Sequence, residues 1–174
     1  MQAKPTFYNG VEYDSALEAK YAESFDTLGI KFKPKPYWFR GNGVKYNPDF
    51  MLMEHGPFFE VKGYKFERTE QRKLDLVVHQ GKQIFMGDSN GFLYAAKSGE
   101  LCKAVLVKCL SCLRWYISDC QEADKDGRIL VRGCMNGCKN SRKIIRENIF
   151  DAVGEQVFVR ERQWPLGKYE AVRW

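Results

Sequence analysis

The sequence contains few histidines and no long apolar segment. Its two histidines, His55 and His79, fall at a turn and near the end of a helical pattern, and an active site built on histidines would need more of them. No stretch approaches the roughly 20 apolar residues of a membrane span, and residues 1–10 lack the apolar run of a signal peptide. We therefore expect a soluble, cytoplasmic protein without a membrane partner.

Cysteine is absent from the first 101 residues. Six cysteines then follow, at positions 102, 109, 112, 120, 134 and 138. In a reducing compartment such cysteines bind metal or remain thiols more often than they form disulfides. This change in composition predicts two domains, residues 1–100 and residues 101–174.

Acidic residues are missing from two segments of a chain whose net charge is +6. Residues 31–45 carry five bases interleaved with the aromatic residues Phe32, Tyr37, Trp38 and Phe39. Residues 127–146 carry six Lys and Arg residues and no acid. Such clusters can neutralise the phosphates of a polyanion, although solvated loops can have the same composition.

Apolar spacing and turn residues predict an α/β chain. Leu17, Tyr21, Phe25 and Leu28 recur at the spacing of one helical face, which predicts a helix over 15–28 that ends at Gly29. Two further helices are predicted over 67–80 and 141–153. Strands are predicted over 30–39 and 44–53, as a hairpin, and over 58–64, 83–86, 92–95, 105–107 and 115–117.

Two carboxylates and a lysine are predicted to meet on neighbouring strands. Asp49 follows Pro48 in the second strand, and Glu60, Val61 and Lys62 follow one another in the third. Because side chains alternate along a strand, Glu60 and Lys62 point to one face and Val61 to the other. Oxygen ligands of this kind suit Mg²⁺ or Mn²⁺, which bind one or two carboxylates together with substrate phosphate oxygens. A neighbouring lysine can orient or deprotonate an attacking water, or compensate charge on the phosphate.

These residues resemble the signature of the PD-(D/E)xK nuclease superfamily, and in particular that of small phage and bacterial nucleases. The likeness covers about residues 7 to 90 and includes SALEAKYA from residue 15, LGI at 28–30, YNPDF at 46–50 and EVKG at 60–63. It implies a restriction-endonuclease-like core, in which a helix, a three-stranded meander, a second helix and a strand follow in order.

The resemblance also implies roles for individual residues in a magnesium-dependent deoxyribonuclease. The implied catalytic residues are Glu18, Asp49, Glu60 and Lys62. Asp49 and Glu60 would hold Mg²⁺ or Mn²⁺ with the Val61 carbonyl as a further ligand, while Glu18 would contact the metal or a water on it. Lys73, on the following helix, would face a DNA phosphate.

The later cysteines predict a small zinc-ribbon-like module, followed by the C-terminal helix. Cys109 and Cys112 form one close pair, and Cys134 and Cys138 form a second pair after 21 further residues. Four thiolates on two such turns can hold zinc tetrahedrally, and they leave no open position, so the zinc would be structural. Cys120 is an alternative ligand, because the second pair is spaced one residue wider than the first.

The module lies in the same region of the chain as the acid-free segment 127–146, which includes Arg142 and Lys143. These two bases are therefore predicted to contact DNA. A surface that docks another protein is the alternative for this module.

The sequence thus predicts hydrolysis of phosphodiester bonds in DNA, by an endonuclease in the cytoplasm of a bacterial cell or a phage-infected host. One alternative is a DNA-binding or recombination-accessory protein that keeps the fold without turnover. Another is a zinc-ribbon interaction protein that binds a host factor. The form of the DNA substrate stays open, and because one site per chain cuts one strand, a double-strand cut would involve a homodimer.

Overall fold

Three helices and thirteen strands account for the regular structure of the described residues. The computed structural model describes residues 4–53, 56–63, 68–121, 130–131, 138 and 143–154. The helices are α1 (Ala16–Leu28), α2 (Arg68–His79) and α3 (149–154). The strands are β1 (Thr6–Tyr8), β2 (Val11–Tyr13), β3 (Phe32–Pro34), β4 (Phe39–Gly41), β5 (Val44–Tyr46), β6 (Phe50–Leu52), β7 (Phe58–Lys62), β8 (Ile84–Asp88), β9 (Leu93–Lys97), β10 (Glu100–Cys109), β11 (Trp115–Gln121), β12 (Leu130–Val131) and β13 (Lys143–Arg146).

Helix α1 begins and ends where the sequence predicts. The Ser15 hydroxyl accepts a hydrogen bond from the Glu18 amide at 3.1 Å, which caps the N-terminus. Gly29 ends the helix at a left-handed φ of 68°, a conformation that glycine adopts without steric cost. The helix predicted over 15–28 is therefore confirmed.

Nine strands form one mostly antiparallel sheet in the order β12–β11–β10–β9–β8–β7–β6–β3, and β13 also pairs with β10. Strands β7 and β8 are parallel and are connected through α2. The predicted α/β class is confirmed. Strands β9 and β10 form a hairpin near residue 100, so the change in cysteine content there coincides with a turn within the sheet.

The hairpin predicted from residues 30–39 and 44–53 is divided into two short ladders. Strand β3 pairs with β6, and β4 pairs with β5. Pro34 is the last residue of β3, and Pro36 and Pro48 stand between the two ladders. Proline has no N–H to donate to a neighbouring strand. The interruption releases the chain around Lys35 and Asp49 from regular pairing.

The central sheet separates two apolar clusters. One cluster contains Phe25 of α1 and Phe59 of β7, and the other contains Leu74 of α2 and Phe58 of β7. Neighbouring residues of β7 thus face opposite helices, as the pleat of a strand requires. The charged residues of β7, two and four positions beyond Phe58, share its side of the sheet and point toward α2.

The helix predicted over 141–153 is wrong over its first half. Residues 143–146 form β13, in which Ile144 and Ile145 lie opposite Lys108 and Val107 of β10. Two β-branched residues beside an available strand edge favour pairing over a helix. The helix starts later, at α3. There the Asn148 side-chain oxygen accepts hydrogen bonds from the amides of Phe150 and Asp151, at 2.8 and 3.3 Å.

The N-terminal hairpin of β1 and β2 was not predicted from the sequence. It turns at Asn9 and Gly10, which have φ values of 48° and 78°, and it contacts α1. Within the part of the chain that the structure describes, none of the helices has the length and apolarity that a bilayer crossing requires. Residues 155–174, the end of the predicted C-terminal segment, lie outside the described residues.

Candidate functional site

Asp49 stands immediately before β6 and is held by the neighbouring strand. Its Oδ2 accepts a hydrogen bond from the Val61 amide of β7 at 2.8 Å. Its Oδ1 lies 2.9 Å from Nζ of Lys35, which follows β3. Asp49 is only 8% exposed, so these two contacts fix the carboxylate at the end of the sheet.

Lys35 joins three carboxylates, two at the start of α1 and one immediately before β6. Its Nζ lies 3.0 Å from Asp14, 3.6 Å from Glu18 and 2.9 Å from Asp49. Burial lowers the pKa of Lys35, but the charge of Asp49 and the hydrogen bonds to the carboxylates outweigh it and raise the pKa above its usual value. Lys35 also has a left-handed φ of 43°, a conformation that costs an L-residue about 1–2 kcal/mol.

Glu60 is the most deeply placed acid of the site, at 5% exposure. The Tyr46 hydroxyl donates to its Oε2 at 2.6 Å, and Lys62 Nζ lies 2.8 Å from its Oε1. Burial, and then the negative charge of Asp49, raise the pKa of Glu60 to about 7, although Lys62 and Tyr46 favour the charged form. Burial and Asp49 thus favour the neutral form of Glu60, whereas Lys62 and Tyr46 favour its carboxylate.

Lys62 is held between β7 and α2. Its ammonium contacts Glu60 and also Glu70 of α2, whose other oxygen lies 2.9 Å from Lys73. Burial lowers the pKa of Lys62, but the two glutamates outweigh burial and raise it, so Lys62 is protonated at neutral pH. The two lysines in turn lower the pKa of Glu70 despite its burial.

Glu18 points from the first turn of α1 toward Asp49. Its Oε1 accepts a hydrogen bond from the Ser15 hydroxyl at 3.0 Å. Its Oε2 is buried and has no hydrogen-bond partner among the described residues, and it lies 3.6 Å from Lys35 Nζ. Burial and the charge of Asp49 raise the pKa of Glu18, so this oxygen would gain from a nearby cation.

The three acids nevertheless do not converge on a single point. Among the described residues, the thiols of Cys109, Cys112 and Cys138 are the one set of three metal-binding side chains whose ligand atoms all lie within 4.8 Å of one another. Asp49 and Glu60 instead each contact a lysine, Lys35 and Lys62 respectively. A cation at Asp49 would therefore compete with the Lys35 ammonium.

The cysteine cluster could bind a metal such as zinc. Cys109 ends β10, Cys112 lies in the turn before β11, and Cys138 approaches from beyond β12. The Cys109 amide donates to the Arg114 carbonyl at 3.0 Å, which closes the turn. Sulfur atoms bound to one zinc ion at about 2.3 Å each fit within this spacing. Cys134, predicted as the fourth ligand, lies outside the described residues, and Cys120 is not in the cluster.

Most of the predicted site residues lie together. Glu18 and Asp49 share the ammonium of Lys35. Glu60, Lys62, Glu70 and Lys73 form a second set of ion pairs. The Val61 amide, between Glu60 and Lys62 in β7, joins the two sets through its hydrogen bond to Asp49. Lys143 lies elsewhere, in β13 opposite Cys109, and Arg142 is outside the described residues.

Sequence reasoning missed Lys35, Tyr46 and Glu70. Tyr46 is part of the YNPDF segment and Lys35 is part of the basic segment 31–45, so both were visible but had no assigned role. Their contacts with Glu60 and Asp49 join residues 14 apart, and no spacing rule predicts such pairs. Glu70 carried no signal beyond its place on a predicted helix.

Comparison with known proteins adds no relative. No family model matches the sequence, and no curated protein or solved structure matches it either. A functional interpretation therefore depends on the residues of the site and their geometry.

Proposed function

We propose that the protein is a metal-dependent DNA nuclease with a restriction-endonuclease-like core of the PD-(D/E)xK type. The observation that carries this proposal is the placement of Asp49, immediately before β6, beside the segment of β7 that holds Glu60 and Lys62. The Lys62 ammonium lies 2.8 Å from Glu60, and the Asp49 carboxylate accepts the Val61 amide. The strand order β3–β6–β7–β8, with α1 and α2 on opposite faces, supports the same assignment.

The donor set fits a hard divalent cation. Asp49 and Glu60 would hold Mg²⁺ or Mn²⁺ together with the Val61 carbonyl. Glu18 Oε2, which is buried and accepts no hydrogen bond among the described residues, lies 3.6 Å from Nζ of Lys35, the lysine that also contacts Asp49. Magnesium in proteins takes one or two carboxylates and keeps several waters, so a third convergent carboxylate is not needed. When bound, such a cation polarises a phosphoryl oxygen and lowers the pKa of water.

Lys62, Tyr46 and Glu70 have separate roles beside the cation. Lys62 is protonated, because Glu60 and Glu70 raise its pKa, so it stabilises negative charge on the phosphoryl oxygens rather than removing a proton. The Tyr46 hydroxyl orients Glu60 from the other side. Glu70 fixes the Lys62 ammonium from α2 and thereby sets its position relative to the strands.

We further propose that the cysteine cluster holds a structural zinc ion. Cys109, Cys112 and Cys138 would be three of its ligands, with Cys134 as the fourth. A closed set of thiolates has no position for substrate, so this ion would stabilise the turn between β10 and β11 and would take no part in the reaction.

A cleavage assay on several DNA forms tests the nuclease proposal. Purified full-length protein is incubated with circular, linear, single-stranded and branched DNA, in Mg²⁺ or in EDTA. We expect Mg²⁺-dependent cutting by the wild type, and about 100- to 1,000-fold slower cutting by Lys62→Ala with DNA binding largely kept. Lys82→Ala is the matched control, because Lys82 is an exposed lysine after α2 with no ion pair among the described residues.

Two results would count against the proposal. Equal cutting rates for Lys62→Ala and wild type would show that the site is assigned to the wrong residues. An absence of cutting by wild type on every DNA form would remove the nuclease function itself.

A DNA-binding accessory protein without turnover is the second candidate function, and the position of Lys35 favours it. Its ammonium contacts Asp14, Glu18 and Asp49 at once, which compensates part of their negative charge without a metal ion. Under this alternative the wild type binds DNA equally well in EDTA and in Mg²⁺ and does not cut it.

A further inference from the structure

The hairpin of β4 and β5 carries an exposed aromatic and basic surface next to the carboxylate site. We define this surface, the basic hairpin face, by Trp38, Arg40 and Lys45. Lys45 Nζ lies 4.2 Å from the centroid of the Trp38 ring, yet 52% of Trp38 remains exposed. Phe39, between Trp38 and Arg40, is buried in the cluster beneath α2, so the alternation of the strand leaves its two neighbours pointing outward.

Like charges on this face lower the stability of the hairpin. Arg40 and Lys45 lie directly opposite each other in the register of β4 and β5, and like charges in opposite positions are destabilising. Neither has an ion pair with an acid within the residues that the structure describes. An anionic ligand bound across the pair would remove this repulsion.

The face is connected to the carboxylate site through the strand itself. Tyr46, the residue after Lys45, donates its hydroxyl to Glu60, and its side chain is buried. Because successive side chains of a strand point to opposite faces, Lys45 points outward and Tyr46 points inward to Glu60. Strand β5 thus contributes Lys45 to the basic hairpin face and Tyr46 to the carboxylate site.

We propose that the basic hairpin face binds single-stranded DNA, with Trp38 stacked on an unpaired base and Arg40 and Lys45 on phosphates beside it. The choice of DNA as the polymer rests on the proposed function. The choice of a single strand rests on Trp38, because a base can stack on an exposed ring only when it is not stacked within a duplex. The preferred substrate of the site would accordingly contain unpaired nucleotides.

Binding in EDTA tests this proposal without any need for cleavage. Anisotropy of a labelled oligothymidylate of about 12 nucleotides is compared with that of a duplex of equal length. We expect the full-length wild type to bind the single strand more tightly. Trp38→Ala should weaken that binding about 5- to 100-fold, and Trp38→Phe, which keeps an aromatic face, should restore most of it.

Matched controls separate stacking from loss of any exposed aromatic residue or base. Phe7 is 72% exposed on the other hairpin, opposite Glu12, so Phe7→Ala should bind as the wild type does. Arg40→Gln combined with Lys45→Gln should reduce the slope of log K against log salt by about 1.4, because each phosphate contact on a single strand contributes about 0.7. Lys97→Gln, a base opposite Glu100, should leave the slope unchanged.

The outcomes distinguish this proposal from the nuclease proposal. If Trp38→Ala binds single strands as tightly as wild type, or if Trp38→Phe fails to restore binding, the basic hairpin face is not a stacking site. If Trp38→Ala weakens binding as expected but the wild type cuts no DNA, the face stands and the nuclease function falls. Melting temperatures of all variants close to that of wild type exclude unfolding as the cause.

Discussion

At the scale of single residues, two lysines set the electrostatics of the candidate site. Lys62 lies between Glu60 and Glu70 within the fold, whereas Lys35 contacts three carboxylates from a segment without regular pairing. The pKa values of both lysines are raised, yet their surroundings differ. In the proposed function Lys62 would meet the charge of the substrate, whereas Lys35 would compete with a cation for Asp49.

Removal of Lys35 should strengthen metal binding. In Lys35→Met the ammonium no longer competes for Asp49 and Glu18, so the dissociation constant for Mn²⁺ should fall by about tenfold, which is the scale of one partly buried charge contact. Titration calorimetry or the Mn²⁺ resonance signal measures it. Lys33→Met is the control, since Lys33 is exposed on β3 and has no ion pair among the described residues. Weaker Mn²⁺ binding by Lys35→Met would contradict this account of the site.

Glu60 should make the metal-free protein less stable as the pH rises. Its pKa is about 7 in the folded protein, against an ordinary value of 4.5, so the folded state holds a proton that the unfolded chain releases between these two values. Stability is therefore lost as the pH rises through this window, by about 3 kcal/mol in total. Urea unfolding in EDTA at about pH 5 and about pH 8 measures the loss, and Glu60→Gln should show a smaller one. An equal loss in both proteins would show that other groups cause it.

At the scale of secondary structure, local signals predicted elements whose determinants are close in sequence. Ser15 and Gly29 bound α1 as predicted because capping depends on neighbouring residues. Residues 143–146 form a strand because they pair with β10. Their partners lie more than 30 residues away in sequence, so local patterns do not predict this pairing. The role of Glu70 is likewise not predictable from local sequence, because its contact with Lys62 forms only when α2 packs on β7.

A close approach between α1 and the sheet makes Gly87 of β8 difficult to replace. A Cβ atom at Gly87 would collide with the rings of Tyr21 and Phe59, and the Tyr21 hydroxyl donates to the Asp88 carbonyl at 2.8 Å. Gly87→Ala should destabilise the fold by about 1–3 kcal/mol, the usual cost of overpacking, as measured by urea unfolding. Gly154→Ala is the control, because no atom lies within 4 Å of its added Cβ. Equal stability of the two variants would show that α1 can shift to make room.

The turn between β10 and β11 should depend on bound zinc. The purified protein should contain about one zinc ion per chain, and a strong chelator should lower the melting temperature because the metal binds the folded state preferentially. Cys112→Ser should lose the zinc. Cys102→Ser should keep it, since Cys102 is outside the cluster and contacts Glu100 instead. A metal-free protein with an unchanged melting temperature would rule out the structural ion.

At the scale of the whole molecule, the sequence indicated a chemistry more readily than a substrate. The motif residues are close enough in sequence to suggest a common site, and the sheet brings β6 and β7 together. In the proposed function the form of DNA would depend on surfaces such as the basic hairpin face, which is assembled by the pairing of β4 with β5. The described residues contain one such carboxylate site per chain, so we expect a monomer to nick one strand and a double-strand cut to need a homodimer.

The carboxylate site is tested most sharply by the rate at which supercoiled DNA is nicked in Mg²⁺ by wild type and by Asp49→Asn. The substitution keeps the shape and the hydrogen bond from Val61 but removes the charge that would hold the cation. We predict nicking by wild type that stops in EDTA, and a rate lower by about 1,000-fold for Asp49→Asn. Equal rates for the two proteins would contradict the account, because phosphodiester hydrolysis would then proceed without the carboxylate on which the site is built.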